Sequence, residues 1–194
     1  MYDPICIKKY TIYDIFHNDN NKLIIIMPYS GGLLNIKYDN ISFTLHKCDH
    51  NHTYIYVSDT SFSYKEKINI TINNELIETK VNKYPEFKDK IIMSTIVKNE
   101  DDYIVQWIEF HLNIGIKHFI IYDNSKNNTL QNVLKKYISN NIVVLINWRY
   151  HYRNPKKWKD ISGQTTQQCH SIWAFQNSKY IGLFDIDEYV NLQN

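Results

Sequence analysis

The most informative segment of this chain reads Gly182-Leu183-Phe184-Asp185-Ile186-Asp187-Glu188-Tyr189. An apolar run over residues 180–184 stops there at three carboxylates within four residues. Alternate side chains of an extended strand point the same way, so Asp185 and Asp187 would lie on one side, roughly 7 Å apart at about 3.3 Å per residue. Carboxylates at the end of a buried strand cost free energy unless their negative charge is balanced. A hard divalent cation that carries a diphosphate would balance that charge. An acidic surface loop is the alternative for these residues alone.

Strand and helix patterns alternate upstream of this segment. Apolar runs predict strands at residues 90–97, 117–122, 142–146 and 179–184. Helical periodicity predicts helices at residues 101–114, 129–138 and 164–176, and Gly115 follows the first of them as a terminating glycine. Strands that alternate with helices favour a parallel sheet with right-handed crossovers.

Each of the four predicted strands ends in a polar segment. These segments are 98–100 (Lys-Asn-Glu), 123–125 (Asp-Asn-Ser), 147–149 (Asn-Trp-Arg) and 185–188 (Asp-Ile-Asp-Glu). In an open α/β sheet, ligands bind outside the carboxyl ends of the strands. Two acidic ends and a third that carries an arginine therefore predict a crevice for a nucleotide diphosphate and a metal ion.

The first 88 residues have a different pattern. Short runs rich in Ile, Val, Tyr and Thr predict strands at residues 10–16, 22–27, 41–46, 53–57, 66–72 and 75–81. Asn73-Asn74 between the last two predicts a tight hairpin turn. We expect a small antiparallel sandwich or sheet here.

Composition limits the class of protein. The formal net charge is +2, which predicts no general attraction to nucleic acid or membranes. The three cysteines predict reduced thiols rather than a disulfide framework. The N-terminus lacks the features of a signal peptide, and no apolar run is long enough for a membrane span, so we expect a cytoplasmic or virus-associated protein. The abundance of Asn, Ile, Lys and Tyr indicates an AT-rich source such as a giant virus or a protist.

Four ordered segments together resemble the GT-A glycosyltransferases of family 92 and their family-2-like relatives. They are 94–100 (Ser-Thr-Ile-Val-Lys-Asn-Glu), 107–111 (Trp-Ile-Glu-Phe-His), 115–124 (which ends in Tyr-Asp-Asn) and 185–189 (Asp-Ile-Asp-Glu-Tyr). The resemblance covers about residues 90–192, and residues 1–88 have no comparable match. It implies a GT-A domain, Rossmann-like with a mostly parallel sheet, at residues 89–194, preceded by a small β-rich domain at residues 1–88.

The resemblance also implies a reaction. Family members transfer a hexose such as galactose from a nucleotide sugar, which we expect to be a UDP-sugar, to a glycan or glycoprotein acceptor with Mn²⁺ or Mg²⁺ as cofactor. By similarity, Asp185 would bind the sugar side of the nucleotide and the metal, and Asp187 the metal. The residues that would line the nucleoside pocket are Lys98, Asn99, Glu100, Asp123 and Asn124.

The chain departs from the family pattern at its end, because it stops six residues after Glu188. Similar enzymes continue into a segment that holds the acceptor groove and the catalytic base, so we expect the base beyond Asn194. The isolated chain would then be a donor-binding half with weak or absent transfer activity. The alternative is a non-catalytic carbohydrate-binding or interaction protein with a remnant transferase domain, which the many aromatic residues between 10 and 64 favour.

Three polar segments leave their roles open. Residues 149–159 are basic with interleaved aromatics, which fits a solvated loop, a donor or acceptor contact, or a site for single-stranded nucleic acid. Residues 48–52 (Cys-Asp-His-Asn-His) lack the second cluster of a zinc site, and we interpret them as a hairpin tip. Gln164, Gln167 and Gln168 are either polar positions on a helix or, for one of them, a donor contact.

Two features of the first helix are given structural roles. His111 lies on its apolar stripe, which favours a buried, hydrogen-bonded histidine over a catalytic one. Asp101 and Asp102 precede the helix, where carboxylates cap backbone amides and meet the positive end of the dipole.

Overall fold

The computed structural model describes residues 1–29, 32–48, 53–153 and 162–191. Its strands, in chain order, are β1 (Asp14–His17), β2 (Leu23–Pro28), β3 (Ile36–Lys37), β4 (Phe43–Cys48), β5 (Thr53–Ser58), β6 (Lys67–Ile72), β7 (Glu75–Lys80), β8 (Asn82–Lys83), β9 (Ile91–Val97), β10 (His118–Asp123), β11 (Val143–Asn147) and β12 (Tyr180–Leu183). Its helices are α1 (Ile104–Asn113), α2 (Thr129–Val133), α3 (Lys135–Ser139) and α4 (Ser162–Ala174), with a short 3₁₀ turn at Lys8–Tyr10.

These elements group into two compact units. The α/β unit comprises Met1–Asp3, Phe87–Tyr150 and Ser178–Asn194, and the β-rich unit comprises Pro4–Glu86 and His151–Asn177. The grouping differs from a single division after residue 88 in two places. Tyr2 bonds to the outer edge of β11, donating its N–H to the carbonyl of Leu145 at 2.8 Å and accepting from Asn147 N–H at 2.9 Å. In addition, α4 packs mainly against β2 and β5 of the β-rich unit.

The predicted parallel sheet is present in the α/β unit. It has four strands in the order β11-β10-β9-β12, and every neighbouring pair is parallel. The predicted apolar stripe of α1 is also present, since Ile104, Trp107, Ile108 and His111 are all buried. The sequence-based prediction of a mixed α/β fold with a parallel sheet is therefore confirmed.

The end of α1 and the break between α2 and α3 both have a local cause in the backbone. Gly115 has φ +97°, and the N–H groups of Gly115 and Ile116 donate to the carbonyls of Leu112 and His111 at 3.0 and 2.9 Å. This pair of bonds is the glycine-terminated Schellman arrangement. The single helix predicted at 129–138 is instead α2 followed by α3, because Leu134 between them has φ −91° and ψ 4°, outside the helical region.

The β-rich unit contains two sheets. One has the order β4-β5-β2-β1-β8 and the other β3-β6-β7. Apart from the parallel pair β1–β8, the neighbouring strands are antiparallel. Residues from both sheets form one hydrophobic cluster. The predicted β-rich N-terminal region is confirmed, and so is its tight turn: Ile72 pairs with Glu75, with Asn73 and Asn74 at φ 49° and 68° between them.

Strand β2 explains why a helix belongs to this unit. Leu23, Ile25 and Met27 join the cluster between the sheets, whereas Ile24 and Ile26, also without solvent exposure, do not. Successive side chains of a strand point to opposite faces, so β2 needs a cover on its second face. Helix α4 provides that cover.

No helix within the described ranges has the length and apolar character needed to cross a bilayer.

Candidate functional site

The strand order of the α/β unit creates a switch point beside β9. Strand β10 follows β9 on one side, and β12, the last strand in sequence, lies on the other. Where strand order reverses, the crossovers diverge and leave a crevice at the carboxyl ends of the strands. The predicted site residues follow β9, β10 and β12, so the sheet gathers them at one end, with β9 in the middle.

The segment after β9 is a tight turn. Asn99 has φ 58°, a left-handed conformation that asparagine tolerates better than most residues, and its N–H donates to Ser125 Oγ at 2.9 Å. Lys98 and Asn99 are exposed, and Glu100 is partly exposed. These three side chains are therefore accessible to a ligand at the end of β9.

The segment after β10 is buried and holds its neighbours in place. Asp123 is 1% exposed and Asn124 is 8% exposed. Asp123 Oδ1 accepts from Ser125 N–H at 2.8 Å, and the Asn124 side-chain amide donates to the carbonyls of Trp148 and Tyr150 at 2.5 and 2.8 Å. Asp123 and Asn124 therefore shape the loops after β10 and β11, and their direct contact with a nucleoside stays a prediction.

The segment after β12 is an exposed acidic turn. Asp185, Asp187 and Glu188 are all exposed. Asp185 N–H donates to Glu188 Oε2 at 3.0 Å, and Glu188 N–H donates to the Asp185 carbonyl at 3.1 Å. Partial burial, followed by the negative charges of Glu188 and Asp187, raises the pKa of Asp185. The turn thus concentrates negative charge that a cation would neutralise.

The donor atoms of this turn suit a hard cation. Carboxylate oxygens are the ligands that Mg²⁺ and Mn²⁺ prefer. No group of three ligating His, Cys, Asp or Glu side chains occurs within the described ranges. Mg²⁺ is commonly held by one or two carboxylates together with substrate phosphates rather than by an all-protein cage. Asp185 and Asp187 fit that mode of binding.

Helix α1 contacts the acidic turn directly. The indole Nε1 of Trp107 donates to the carbonyl of Glu188 at 2.9 Å. His111 has no solvent exposure, with Nδ1 2.8 Å from the Trp107 carbonyl and Nε2 3.3 Å from Val190 N. The prediction of a buried, hydrogen-bonded histidine is confirmed. The contact of Trp107 with the turn was missed, although a buried indole N–H usually finds a partner.

The capping role predicted for the two aspartates before α1 is wrong. The residue before the helix is Tyr103, and it makes no side-chain capping hydrogen bond. Asp101 Oδ2 instead accepts a hydrogen bond from the Thr129 hydroxyl. The N–H groups of Tyr103 and Ile104 both donate to the backbone carbonyl of Glu100 at 3.1 Å. A backbone acceptor therefore begins the helix.

The remaining polar segments are only partly described. Arg149 donates to Asn128 Oδ1 and so joins the loops after β10 and β11. Residues 154–159 of the basic segment lie outside the described residues. Residues 49–52 also lie outside them, and β4 and β5 pair as far as Cys48 and Thr53 on either side. The alternatives for both segments stay open.

The three glutamines lie on α4 in the β-rich unit. Gln164 accepts a hydrogen bond from the Tyr152 hydroxyl at 2.7 Å. Gln167 is 2% exposed and Gln168 is partly exposed. A contact between one of these glutamines and a nucleotide-sugar donor stays a prediction.

Comparison with known proteins identifies the relatives of the α/β unit. The sequence profile of glycosyltransferase family 92 matches residues 91–194. The chain belongs to glycosyltransferase family 92. A family 92 protein of Ricinus communis is 24% identical over 106 residues, which are 54% of this chain and 17% of that protein. One of Oryza sativa subsp. japonica is 26% identical over 98 residues, 50% of this chain and 15% of that protein. One of Arabidopsis thaliana is 24% identical over 103 residues, 53% of this chain and 16% of that protein.

These comparisons confirm the family recognised from the ordered motifs. The chain spans about one sixth of the length of the family 92 proteins that it matches. The family match begins at the first residue of β9 and covers the four parallel strands and the acidic turn. No solved structure matches the chain significantly.

Proposed function

We propose that this chain is the donor-binding part of a metal-dependent glycosyltransferase of GT-A architecture. It binds a nucleotide sugar, which we propose is a UDP-sugar, from which a hexose such as galactose passes to a glycan or glycoprotein acceptor. The observation that carries this proposal is the acidic turn of a family 92 chain beside the switch point of a parallel sheet.

The exposure of the side chains supports the roles that we propose for them. Asp187, with Asp185, would hold Mn²⁺ or Mg²⁺ at the exposed turn. When bound, the cation would neutralise the negative charge of the diphosphate, which is the leaving group. Lys98, Asn99 and Glu100 are accessible at the end of β9 and would contact the nucleoside. Asp123 and Asn124 would act mainly by fixing the surrounding loops.

The β-rich unit contains the feature that favours the alternative function of carbohydrate binding. A surface hollow of about 550 Å³ lies against its sheets. Its lining mixes apolar and hydrogen-bonding side chains, as sugar sites do. The lining residues are Leu34, Asn35, Ile36, Lys37, Asp39, Asn40, Ile41, Ser42, Phe43 and Tyr56.

Calorimetry of the purified chain tests the transferase proposal. We expect UDP-galactose to bind with Mn²⁺ and to bind at least tenfold more weakly without it or in Asp187→Asn. Asp89→Asn is a matched control, because Asp89 is exposed in a turn before β9 and Asn tolerates its φ of 60°. Equal binding with and without Mn²⁺, or equal loss in the control variant, would contradict the proposal.

A glycan array tests the alternative on the whole chain. Residues 1–88 alone are unsuitable, because removing α4 would expose the second face of β2. We expect Lys37→Ala, which changes the lining of the hollow, to abolish the glycan signal. Lys80→Ala, which changes an exposed residue of β7, should leave the signal unchanged. A signal unaffected by Lys37→Ala, or no signal from the wild-type chain, counts against the hollow as a sugar site.

A further inference from the structure

The acidic turn and its flanking residues combine partly buried apolar side chains with exposed carboxylates. Phe184, Ile186 and Val190 pack against the hydrophobic core of the α/β unit, whereas Asp185 and Asp187 are exposed. The core therefore holds the apolar side chains of the segment, while the carboxylates are left accessible to solvent. Apolar packing alone is non-directional, so it does not fix where each carboxylate lies.

Trp107 adds a directional contact. Its side chain is fully buried in α1, and indole has one hydrogen-bond donor and no acceptor. That donor is used on the backbone carbonyl of Glu188, 81 residues later in the chain. The first helix of the α/β unit therefore fixes the last residue of the acidic turn.

His111 adds a second directional contact, and its geometry defines its tautomer. Val190 N–H donates to Nε2, so Nε2 carries no hydrogen. Nδ1 then carries the hydrogen and donates to the Trp107 carbonyl at 2.8 Å. Burial lowers the pKa of His111, in agreement with a neutral ring. The Tyr189 ring stacks on this imidazole at 5.8 Å with an interplanar angle of 8°.

These contacts form a connected network. Trp107 binds the carbonyl of Glu188, His111 binds the N–H of Val190, and Trp107 and His111 bind each other. Two backbone groups on either side of Tyr189 are thus held by one face of α1. A small rotation of that segment would move Glu188 and the adjoining Asp187 relative to the strand ends.

We propose that Trp107 and His111 are positioning residues, which hold the acidic turn where Asp187 meets a metal-bound diphosphate. The functional part of this inference rests on the proposed function. Neither residue is expected to touch the metal or the nucleotide. Each acts on the backbone of a residue that follows Asp187 in the chain. Replacing groups that orient metal ligands typically costs roughly 10- to 100-fold in metal affinity or activity.

Matched substitutions separate positioning from stability. Trp107→Phe keeps an aromatic ring and removes the N–H. His111→Leu removes both hydrogen-bonding atoms, whereas His111→Gln can donate to the Trp107 carbonyl and accept from Val190 N–H. Leu134→Ala is the control, because it removes a buried side chain of the same core from the junction of α2 and α3.

Two measurements on the full chain test the proposal. In hydrogen-exchange mass spectrometry without ligand, we expect faster exchange of residues 184–191 in Trp107→Phe and His111→Leu, with wild-type behaviour in His111→Gln. In calorimetry with UDP and Mn²⁺, we expect Trp107→Phe and His111→Leu to bind UDP roughly 10- to 100-fold more weakly than wild type. His111→Gln and Leu134→Ala should bind within about threefold of wild type, which is below the range expected for a lost positioning contact.

The outcomes are distinguishable. Unchanged exchange at residues 184–191 in Trp107→Phe, or an equal loss of affinity in Leu134→Ala, would overturn the positioning role. If the wild-type chain binds no UDP with Mn²⁺, the proposed function fails, and hydrogen exchange alone then decides whether α1 holds the turn.

Discussion

His170 Nε2 of α4 lies 3.0 Å from Asp14 Oδ2 of β1, and neither side chain has any solvent exposure. Asp14 also accepts hydrogen bonds from the N–H groups of Ile5 and Ile15 and from the side chains of Asn82 and Tyr84. This carboxylate therefore links the N-terminal segment, the sheet and α4. A buried carboxylate with so many donors is well compensated, and removing its charge leaves those donors without a full partner.

We predict that Asp14→Asn lowers the free energy of unfolding by about 3 kcal/mol. The cause is the loss of acceptor capacity toward Tyr84 and His170. Urea denaturation monitored by far-UV circular dichroism measures the change, and Asp89→Asn, an exposed site, should change it by under about 0.5 kcal/mol. Equal stability of the two variants would mean that the Asp14 network contributes little.

Asn124 gives a prediction for the loops that frame the candidate site. Asn124→Ala should destabilise the chain by about 1–3 kcal/mol, because two carbonyls lose their donor. Asn124→Asp should cost more, since it places a carboxylate oxygen against the same carbonyls of Trp148 and Tyr150. Thermal denaturation followed by tryptophan fluorescence compares the two. A milder effect of Asp than of Ala would show that these hydrogen bonds do not form.

Asp19 gives a prediction about pH. Burial, and after it the charge of Glu86, raises the pKa of Asp19 from 3.8 to about 6. The folded state then keeps a proton that the unfolded state has lost, so the stability contribution of Asp19 falls as pH rises from 3.8 to about 6 and is constant above. In urea titrations, Asp19→Asn should therefore gain stability over wild type across this window, and Glu86→Gln should show a smaller gain. A constant difference between Asp19→Asn and wild type from pH 4 to pH 7 would refute the assignment.

The hairpin between β6 and β7 gives a prediction about backbone strain. Asn73 and Asn74 both have positive φ, a conformation that costs most residues with a Cβ atom roughly 1 kcal/mol and that asparagine tolerates better than most. We predict that Asn74→Ala lowers the thermal midpoint and that Asn74→Gly leaves it equal or higher, because glycine adopts this conformation freely. A higher midpoint for Ala than for Gly would contradict the turn geometry.

The sequence predicted the parallel sheet well because three of its strands, β9, β10 and β11, are buried along most of their length. Continuous apolar runs such as residues 119–122 are typical of such strands, and the intervening periodicity identifies the helices. Strands β3 and β8 were missed because two residues give no periodicity.

The placement of α4 was not predicted, although β2 contained a signal for it. Residues 23–27 are all apolar, and a strand without alternation needs cover on both faces. Residues 1–88 offered no helix for the second face, so the cover had to come from elsewhere in the chain. Which helix provides it depends on contacts such as Thr53 with Thr166, 3.0 Å apart between hydroxyls, that no local pattern encodes.

The sequence predicted the neighbouring strand ends that carry the candidate residues, but not the surroundings of each side chain. Polar residues at the strand ends indicated where Lys98, Asp123 and Asp185 would gather. Their exposure could not be foreseen, because the burial of Asp123 depends on loops after two different strands. The same holds for the contact of Trp107 with Glu188, which joins segments distant in sequence.

Paramagnetic broadening by Mn²⁺ tests the central claim most directly, namely that the ends of β9 and β12 share one cation-bound nucleotide. In ¹⁵N spectra of the full chain with UDP, substoichiometric Mn²⁺ should broaden the amide signals of residues 98–100 and 185–188 first. The signals at the amino ends of the parallel strands β9 and β10, at the opposite end of the same sheet, should broaden less. Broadening that spares residues 98–100 and 185–188, or that is the same without UDP, would contradict the account.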